Sequence, residues 1–433
     1  MKVKAQAVSA RNASRFLSAL STDKKNSALK AIRDALMARS DEIVRANEMD
    51  LQIAEETNLA APLKKRLSFP FSKIEDVCKG IDSLISLDDP VGKTLSATEL
   101  DKNLELFKVS CPIGVIGVIF ESRPDALVQI STLCLKSGNA VLLKGGSEAE
   151  NTNTILAEII ADVSSRAGIP DGWIQLLHTR EDVGQMLSMD EYIDLIIPRG
   201  SNEFVKYIMN NTAIPVMGHA DGICHAYVHE AADIDMAASL VTDSKTQYVA
   251  VCNAVETLLV DAACADKALP VIAASLTQRG VEIRGCERTR RIIDCKEARE
   301  EDWATEYLDY IISVKVVDGI EQAIEHINTY GSGHTDLIIT SDKKAAALFM
   351  SLVDSADVFW NCSTRFADGY RYGLGAEVGI STNKIHARGP VGLEGLVIYK
   401  YMLMGNGQVV ADYVEGRAEF THKKLAKDFP LSN

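Results

Sequence analysis

Residues 140–149 read AVLLKGGSEA, a short apolar run that ends in a lysine, two glycines and a serine. The run predicts a buried strand, and the glycine turn after it predicts the start of a helix. The same pattern returns at 193–202, IDLIIPRGSN. Such turns expose backbone N–H groups that can bind phosphate, although glycines also close strand-to-helix turns in proteins without a nucleotide. The lysine of one turn and the arginine of the other favour a nucleotide, and the GxGxxG motif of ordinary dinucleotide sites is absent.

Strand and helix patterns alternate through residues 113–217. Strands are predicted at 115–120, 140–144, 173–178, 193–197 and 214–217, and helices at about 125–136 and 153–166. This alternation predicts an α/β fold with a parallel sheet between helices, which binds ligands beyond the carboxyl ends of its strands. A second α/β region follows at 223–393, and strand-like segments at 100–111 and 394–412 belong to neither region.

A thiol, Cys252, separates a polar approach from an apolar run within QYVAVCNAVETLLV, residues 247–260. The run at 257–260 predicts a buried strand, so the thiol would be held on fixed backbone. Covalent acyl chemistry is one interpretation, and a small buried hydrophobic side chain is the other. His219 and His225 are expected to be hydrogen-bonded structural histidines rather than bases. No residue beside Cys252 in the sequence explains a lowered thiol pKa, so its activation must come from tertiary neighbours.

Composition limits the class of protein. A chain of 433 residues predicts two or three domains, and its 60 acidic against 46 basic residues argue against nucleic acid or an anionic membrane as partners. Nine cysteines without zinc-site spacing indicate a reducing compartment, no disulfide framework and no structural metal. No stretch is long enough to span a membrane. The basic N-terminus has no acid before Asp23, which leaves an organellar transit peptide as one interpretation, but it lacks an apolar core and continues into a helical pattern, which favours a first helix. We therefore expect a cytoplasmic protein whose first residues form a helix.

Several long segments resemble one known family. They are PIGVIGVIFESRPD at 112–125, LCLKSGNAVLLKGGSEA at 133–149, VCNAVETLLV at 251–260 and GSGHTDLIIT at 331–340. The chain resembles, over nearly its whole length, the gamma-glutamyl phosphate reductases, the proline-pathway branch of the aldehyde dehydrogenase superfamily. The resemblance implies a parallel-sheet cofactor-binding domain, an α/β catalytic domain that carries the nucleophilic cysteine, and a small β oligomerisation flap. The expected bounds are 1–99 and 112–222 for the cofactor domain, 223–393 for the catalytic domain, 100–111 and 394–412 for the flap, and 413–433 for a C-terminal tail.

The resemblance also implies a reaction, the NADPH-dependent reduction of L-glutamyl 5-phosphate to L-glutamate 5-semialdehyde and phosphate. Cys252 would attack the acyl phosphate and hold the acyl group as a thioester until hydride reduces it. Oxidising relatives carry a glutamate ahead of the cysteine that activates water, whereas here no glutamate lies between Glu203 and Glu230, and Asp221 is the only acid. This absence favours reduction. The implied partners are further copies of the chain, as a homodimer or higher homo-oligomer, and a separate glutamate 5-kinase.

Cofactor contacts follow from the same resemblance. A glutamate that binds the adenosine ribose in NAD-using relatives is replaced by Ser147, whose hydroxyl tolerates the 2′-phosphate of NADP(H), while Glu148 argues the other way. Glu306 matches the residue that holds the nicotinamide ribose, although by itself it reads as a surface acid. The implied cofactor residues are Lys144, Ser147, Gly200, Ser201 and Glu306.

Substrate contacts need cations, because the net charge is −14 and the implied substrate is anionic. Arg123 and Arg365, the latter with Thr364 in its loop, are the candidates, against the alternative of surface arginines or structural ion pairs. Ser122 stands where the family carries the asparagine that donates to the oxyanion beside the N–H of Cys252. Two other functions stay open: an aldehyde dehydrogenase for another semialdehyde, and a catalytically silent oligomeric scaffold of the same fold.

Overall fold

A computed structural model describes residues 2–121 and 123–431. The helices are α1 (Lys2–Leu17), α2 (Thr22–Ala38), α3 (Ser40–Glu56), α4 (Ala61–Leu67), α5 (Phe71–Ser86), α6 (Pro124–Lys136), α7 (Glu150–Arg166), α8 (Arg180–Leu187), α9 (Asn202–Asn210), α10 (Ile234–Thr246), α11 (Ala265–Gln278), α12 (Glu287–Arg290), α13 (Gly319–Tyr330), α14 (Lys343–Leu352) and α15 (Val410–Val414). The strands are β1 (Thr94–Asp101), β2 (Leu104–Pro112), β3 (Val115–Ile119), β4 (Ala140–Lys144), β5 (Ile174–Leu177), β6 (Leu195–Pro198), β7 (Cys224–Val228), β8 (Val255–Asp261), β9 (Glu282–Gly285), β10 (Lys296–Glu297), β11 (Ile311–Val317), β12 (Thr335–Ile339), β13 (Asp357–Trp360), β14 (Gly379–Ser381), β15 (Gly389–Val391), β16 (Val397–Met404) and β17 (Lys423–Leu425).

The first sheet has the order β5-β4-β3-β6, and all its strands are parallel. Every residue of β3 and β4 is buried, as continuous apolar runs between helices require. The four predicted strands between 115 and 197 and the helices α6 and α7 are confirmed. The predicted strand at 214–217 is reduced to one parallel bridge, from Val216 to Ile196. Its Pro215 has no N–H to donate, so a longer ladder cannot form there.

The second sheet has the order β10-β9-β11-β8-β7-β12-β13 and is also parallel. Its core is built from aliphatic side chains of β7, β8, β11 and β12 and of the helix α11. The predicted buried strand at 257–260 lies within β8, which is buried over its whole length. The α/β class expected from the sequence is confirmed by these two sheets.

A separate antiparallel sheet has the order β16-β2-β1-β17. Its strand β1 begins at Thr94, within the segment expected in the cofactor domain, and β17 comes from the segment expected as a tail. Strands β1 and β2 form a hairpin whose turn includes Asn103, with a positive φ of 61°. The sequence of β1, TLSATELD, has only three apolar residues and no aromatic one, so it gives a weaker strand signal than its partner.

Within residues 2–121 and 123–431, no helix is both long and apolar enough to cross a membrane.

Candidate active site

Cys252 lies in a turn between α10 and β8, at the amino edge of the second sheet. Its side chain is half-buried. The turn is held from below by the Thr364 hydroxyl, which donates to the carbonyl of Asn253 at 2.7 Å, while the Asn253 amide donates to the carbonyl of Ala367 at 2.7 Å. The Cys224 thiol donates to the carbonyl of Cys252 at 3.1 Å. These bonds fix the backbone around the thiol.

His334 faces the thiol, with 3.2 Å between its Nε2 and the Sγ of Cys252. It immediately precedes β12, which lies next but one to β8, with β7 between them. Its ring is wholly buried, and its Nδ1 lies 2.7 Å from the Oγ1 of Thr335. The amino ends of two parallel strands thus bring the two side chains together.

Both members of this pair are held in their neutral forms. The pKa of the Cys252 thiol is raised to about 12, mainly by burial and in part by the carboxylates of Glu306 and Glu377, while the charge of Arg365 opposes the shift. Burial, with the nearby His219, holds the pKa of His334 well below its usual value. The thiol therefore carries its proton, and we assign it as the donor to the His334 Nε2, which leaves the Nδ1–H to donate to the Thr335 hydroxyl.

Two arginines lie close enough to Cys252 to interact with it electrostatically, Arg199 and Arg365. Arg365 is buried, with an exposed fraction of 9%, and its Nε donates to the Oε1 of Gln247 at 2.9 Å. Arg199 directly follows β6, and burial lowers its pKa while the carboxylate of Glu377 opposes that shift. A buried and a half-buried guanidinium group beside a nucleophile provide a site for an anionic ligand.

Two of the predicted substrate residues, Arg123 and Thr364, already have partners within the protein. Arg123 is half-exposed and forms an ion pair of 2.8 Å with Asp125, and its charge acts on the neighbouring Arg199. Thr364 is fully buried, and its hydroxyl donates to the backbone carbonyl of Asn253, so it supports the cysteine turn. Its predicted role in substrate binding stays a prediction. Ser122 lies outside the described residues.

Glu306 joins the two halves of the site. Its carboxylate accepts a hydrogen bond of 2.6 Å from the amide of Asn202, which also donates to Asp221 at 3.0 Å. Asn202 opens α9 directly after the turn that contains Gly200 and Ser201, so the first sheet and the Cys252 region meet at Glu306. Both Gly200 and Ser201 are exposed at this turn.

The other predicted cofactor residues lie at the carboxyl end of β4. Lys144 is buried there and its ammonium bonds to the Gly145 carbonyl, while Ser147 is exposed in a short 3₁₀ turn. Burial lowers the pKa of Lys144, opposed by Glu150, Glu148 and Asp182, and the nearby charge of Arg180 lowers it further. Because β3 separates β4 from β6, Lys144 and Gly200 lie at one edge of the sheet, two strands apart.

Gly222 packs directly against the nucleophile. A Cβ at this position would lie 2.3 Å from both the Cα and the carbonyl oxygen of Cys252, far inside van der Waals contact. Only glycine therefore permits the present position of the cysteine turn.

The Gly222→Ala variant is expected to lower kcat by about 10- to 100-fold, because the added methyl group displaces the thiol from its partner. Initial-rate kinetics with the folded variant would measure the loss. Gly80→Ala is the matched control, since a Cβ at Gly80 meets nothing within 4 Å. Equal activity of the two variants would contradict the proposed packing constraint.

Sequence reasoning missed His334, Arg199, Asn202 and Glu377 as neighbours of the site. A signal for His334 was available, because it lies in GSGHTDLIIT, a segment that carries the family resemblance, shortly before the apolar run at 337–339. Arg199 and Asn202 both lie in the glycine turn already singled out as a phosphate site. Glu377 had no local signal. His225 is buried and bonded to Asp336 at 2.9 Å, as expected for a structural histidine.

Comparison with known proteins identifies the class of protein that has this fold and this cysteine site. The model of the aldehyde dehydrogenase family matches residues 1–284. A gamma-glutamyl phosphate reductase of Acetivibrio thermocellus is 65% identical over 431 residues and covers 100% of both chains, and one of Pelotomaculum thermopropionicum is 63% identical over 421 residues, with 97% of each chain covered. The crystal structure of gamma-glutamyl phosphate reductase from Thermotoga maritima has a TM-score of 0.92 at 40% identity, and the match covers 94% of this chain and 100% of that one.

The chain therefore belongs to the aldehyde dehydrogenase family, in the branch of the gamma-glutamyl phosphate reductases. That family membership makes it an oxidoreductase with a nicotinamide cofactor and a small-molecule substrate.

Proposed function

We propose that this protein reduces L-glutamyl 5-phosphate to L-glutamate 5-semialdehyde and phosphate, in proline biosynthesis, through a thioester on Cys252. The observation that carries the proposal is the contact of 3.2 Å between the Cys252 thiol and the His334 imidazole, beside the guanidinium groups of Arg199 and Arg365. A nucleophile, a proton acceptor and a place for an anion are what acyl transfer from a phosphate needs. The names of its near relatives support the same substrate.

In the first step the thiol acts as the nucleophile and the imidazole as the proton acceptor. The Sγ of Cys252 attacks the acyl carbon while the neutral His334 Nε2 accepts the thiol proton. The bond from the acyl carbon to the phosphate oxygen then breaks, and the proton passes from His334 to the departing phosphate. The backbone N–H of Cys252 is available to stabilise the oxyanion that forms between these events.

Charges around the thiol suit the other groups of this substrate. Arg199 and Arg365 offer guanidinium groups to the phosphate and the α-carboxylate. Glu377, whose carboxylate accepts from the N–H of Gly369 at 2.7 Å, offers a negative charge to the α-ammonium group. Each charged group of the substrate thus has a protein group of opposite charge: the arginines for its two anionic groups and Glu377 for its ammonium group.

NADPH is the cofactor we propose, and it would supply the hydride that reduces the thioester to the aldehyde. Glu306 and the Gly200–Ser201 turn would hold its nicotinamide half, and Lys144 with Ser147 its adenosine half. The turn after β4 fits a phosphate-bearing group, because it is shaped by close packing: a Cβ at Gly145 would lie 2.3 Å from the Asn153 amide.

The Ser147→Glu variant tests the choice of cofactor. A carboxylate beside the 2′-phosphate is expected to raise the KM for NADPH by about tenfold through repulsion of like charges, while the KM for NADH changes much less. Steady-state kinetics with both cofactors would measure this, with Ser147→Ala as the control for loss of the hydroxyl. Equal effects on both cofactors would place the 2′-phosphate elsewhere.

The reverse reaction tests the function itself. Glutamate semialdehyde in its cyclic form, phosphate and NADP⁺ are mixed with the protein, and the absorbance of NADPH is followed. NADPH formation that requires phosphate and is abolished in Cys252→Ser is the expected result. NADPH formation without phosphate would instead indicate an aldehyde dehydrogenase that oxidises the semialdehyde. If neither NADP⁺ nor NAD⁺ were reduced, the protein would be a catalytically silent scaffold.

We also propose a cytoplasmic homo-oligomer that receives its substrate from a separate glutamate 5-kinase. The edge strand β16 supports the assembly, because it exposes the apolar side chains of Ile398, Tyr399, Tyr401 and Leu403 beside unpaired backbone groups. An acyl phosphate is labile, so a kinase must supply it continuously. Light scattering would measure the molar mass of the purified protein in solution, and the mass of a monomer would contradict the proposed homo-oligomer.

A further inference from the structure

A cluster of three metal-binding side chains lies at the nucleophile. The ligand atoms of His219, Cys252 and His334 all lie within 4.8 Å of one another, and the two imidazole rings meet edge to face with 5.1 Å between their centroids. In the sequence these residues are separated by tens of positions, so spacing rules for zinc sites do not detect them.

In both histidines Nδ1 makes a hydrogen bond, which leaves Nε2 as the candidate ligand atom. The Nδ1 of His219 lies 3.1 Å from the carbonyl oxygen of Ile380, which can only accept, so the proton sits on Nδ1 and Nε2 is left as the ligand atom. The Nδ1 of His334 is occupied by the Thr335 hydroxyl at 2.7 Å, and its Nε2 points to Sγ. Histidines that bind metals have this arrangement, in which the second ring nitrogen is fixed by a hydrogen bond.

We propose that His219, Cys252 and His334 bind a thiophilic divalent cation, with Zn²⁺ as the best fit, and that the bound ion switches the enzyme off. One sulfur and two imidazole nitrogens are ligands that zinc prefers, with the fourth position left to water. Zinc bonds of about 2.0–2.3 Å place tetrahedral ligands roughly 3.5 Å apart, so the widest pair must close by about 1 Å. Hard cations such as Mg²⁺ prefer oxygen ligands and are not expected to bind here.

Binding removes the nucleophile without any redox change. The zinc–sulfur bond forms as the Sγ proton is released to solvent, and the thiolate electron pair is then shared with the metal instead of attacking the acyl carbon. The nitrogen that would accept the thiol proton is occupied by the same ion. Inhibition should therefore compete with the acyl substrate and be reversed by a chelator.

The test uses the full-length protein, with Co²⁺ as a spectroscopic probe of zinc sites and Zn²⁺ as the competitor. The expected result is one Co²⁺ bound per chain, with a thiolate-to-cobalt absorption band that Zn²⁺ abolishes. The alkylation of Cys252 should also be slower when metal is bound. The His219→Ala variant should weaken binding by at least about tenfold, and His219→Asn repeats the test with a polar side chain in case alanine disturbs folding. The exposed His422→Ala variant is the matched control and should bind as the unchanged protein does.

Each result decides the proposal. Equal metal affinity in His219→Ala, His219→Asn and the unchanged protein would mean that the thiol binds metal without the cluster, and would overturn it. A cobalt band that persists in Cys252→Ser would place the metal at another cysteine and would also overturn it. These measurements need no turnover. A failure of the proposed metal site therefore does not affect the proposed reaction, and a failure of the proposed reaction does not affect the metal site.

Discussion

Replacing His334 by alanine is expected to lower kcat by roughly 10²–10³-fold, with little change in the KM for the acyl phosphate. The Cys252 thiol has a pKa raised to about 12, so almost none of it is ionised near neutral pH without an acceptor for its proton. His334 is that acceptor at 3.2 Å. The rate of Cys252 alkylation by a neutral reagent should fall in parallel with kcat, and a role limited to packing would leave it unchanged.

The Thr335→Val variant is the matched control for this prediction. It keeps the shape of the side chain and the imidazole, but removes the hydroxyl that lies 2.7 Å from the Nδ1 of His334. A smaller loss, of about tenfold, is expected, because the ring can then turn or change its tautomer. If His334→Ala retained full activity, the thiol would have to be ionised by another group, and the proposed proton transfer would be wrong.

The Lys245→Met variant is expected to lose about 3–5 kcal/mol of the free energy of unfolding. Lys245 and Glu256 are both wholly buried and form an ion pair of 2.5 Å. Burial lowers the pKa of Lys245 and raises that of Glu256, and their mutual attraction opposes both shifts. Removing the lysine leaves a carboxylate in the interior with only a long bond of 3.4 Å from the N–H of Leu308. Urea denaturation followed by circular dichroism would measure the loss.

The double variant Lys245→Met, Glu256→Met separates the pair from its surroundings. Because it leaves no unpaired charge, it should recover most of the lost stability, to within about 1–2 kcal/mol of the unchanged protein. The pair also joins the end of α10 to the start of β8, the two elements on either side of the Cys252 turn. Activity should therefore fall in both variants if the ion pair positions the turn. Equal stability of the single and double variants would rule out the burial argument.

Much of the first sheet could be predicted from the sequence, because its strands are short apolar runs and two of them, β4 and β6, are followed by glycine turns. The runs at 115–120 and 140–144 correspond to β3 and β4 almost residue for residue. Periodicity reports which residues form strands, but it does not report which strands are neighbours. The strand order β8-β7-β12 is set by the tertiary structure, and this order brings His334 next to Cys252.

Predictions for individual polar residues depended on what surrounds each of them. Arg365 lies beside the thiol, whereas Arg123 is paired with Asp125 and Thr364 is turned into the protein interior. A motif places a residue on a loop, but its local partners decide whether the side chain faces a ligand. For Lys144, Ser147, Gly200, Ser201 and Glu306, the cofactor roles stay predictions that the kinetic experiments address.

The two parallel sheets present opposite edges to the site. The first contributes the carboxyl ends of β4 and β6, and the second contributes the amino ends of β8 and β12. A protein engineer can therefore treat them as separate modules. Under the proposed function, loops grafted after β4 would change the coenzyme preference without altering the surroundings of the thiol. Libraries of variants around Arg365 and Glu377 would then select for new acyl substrates.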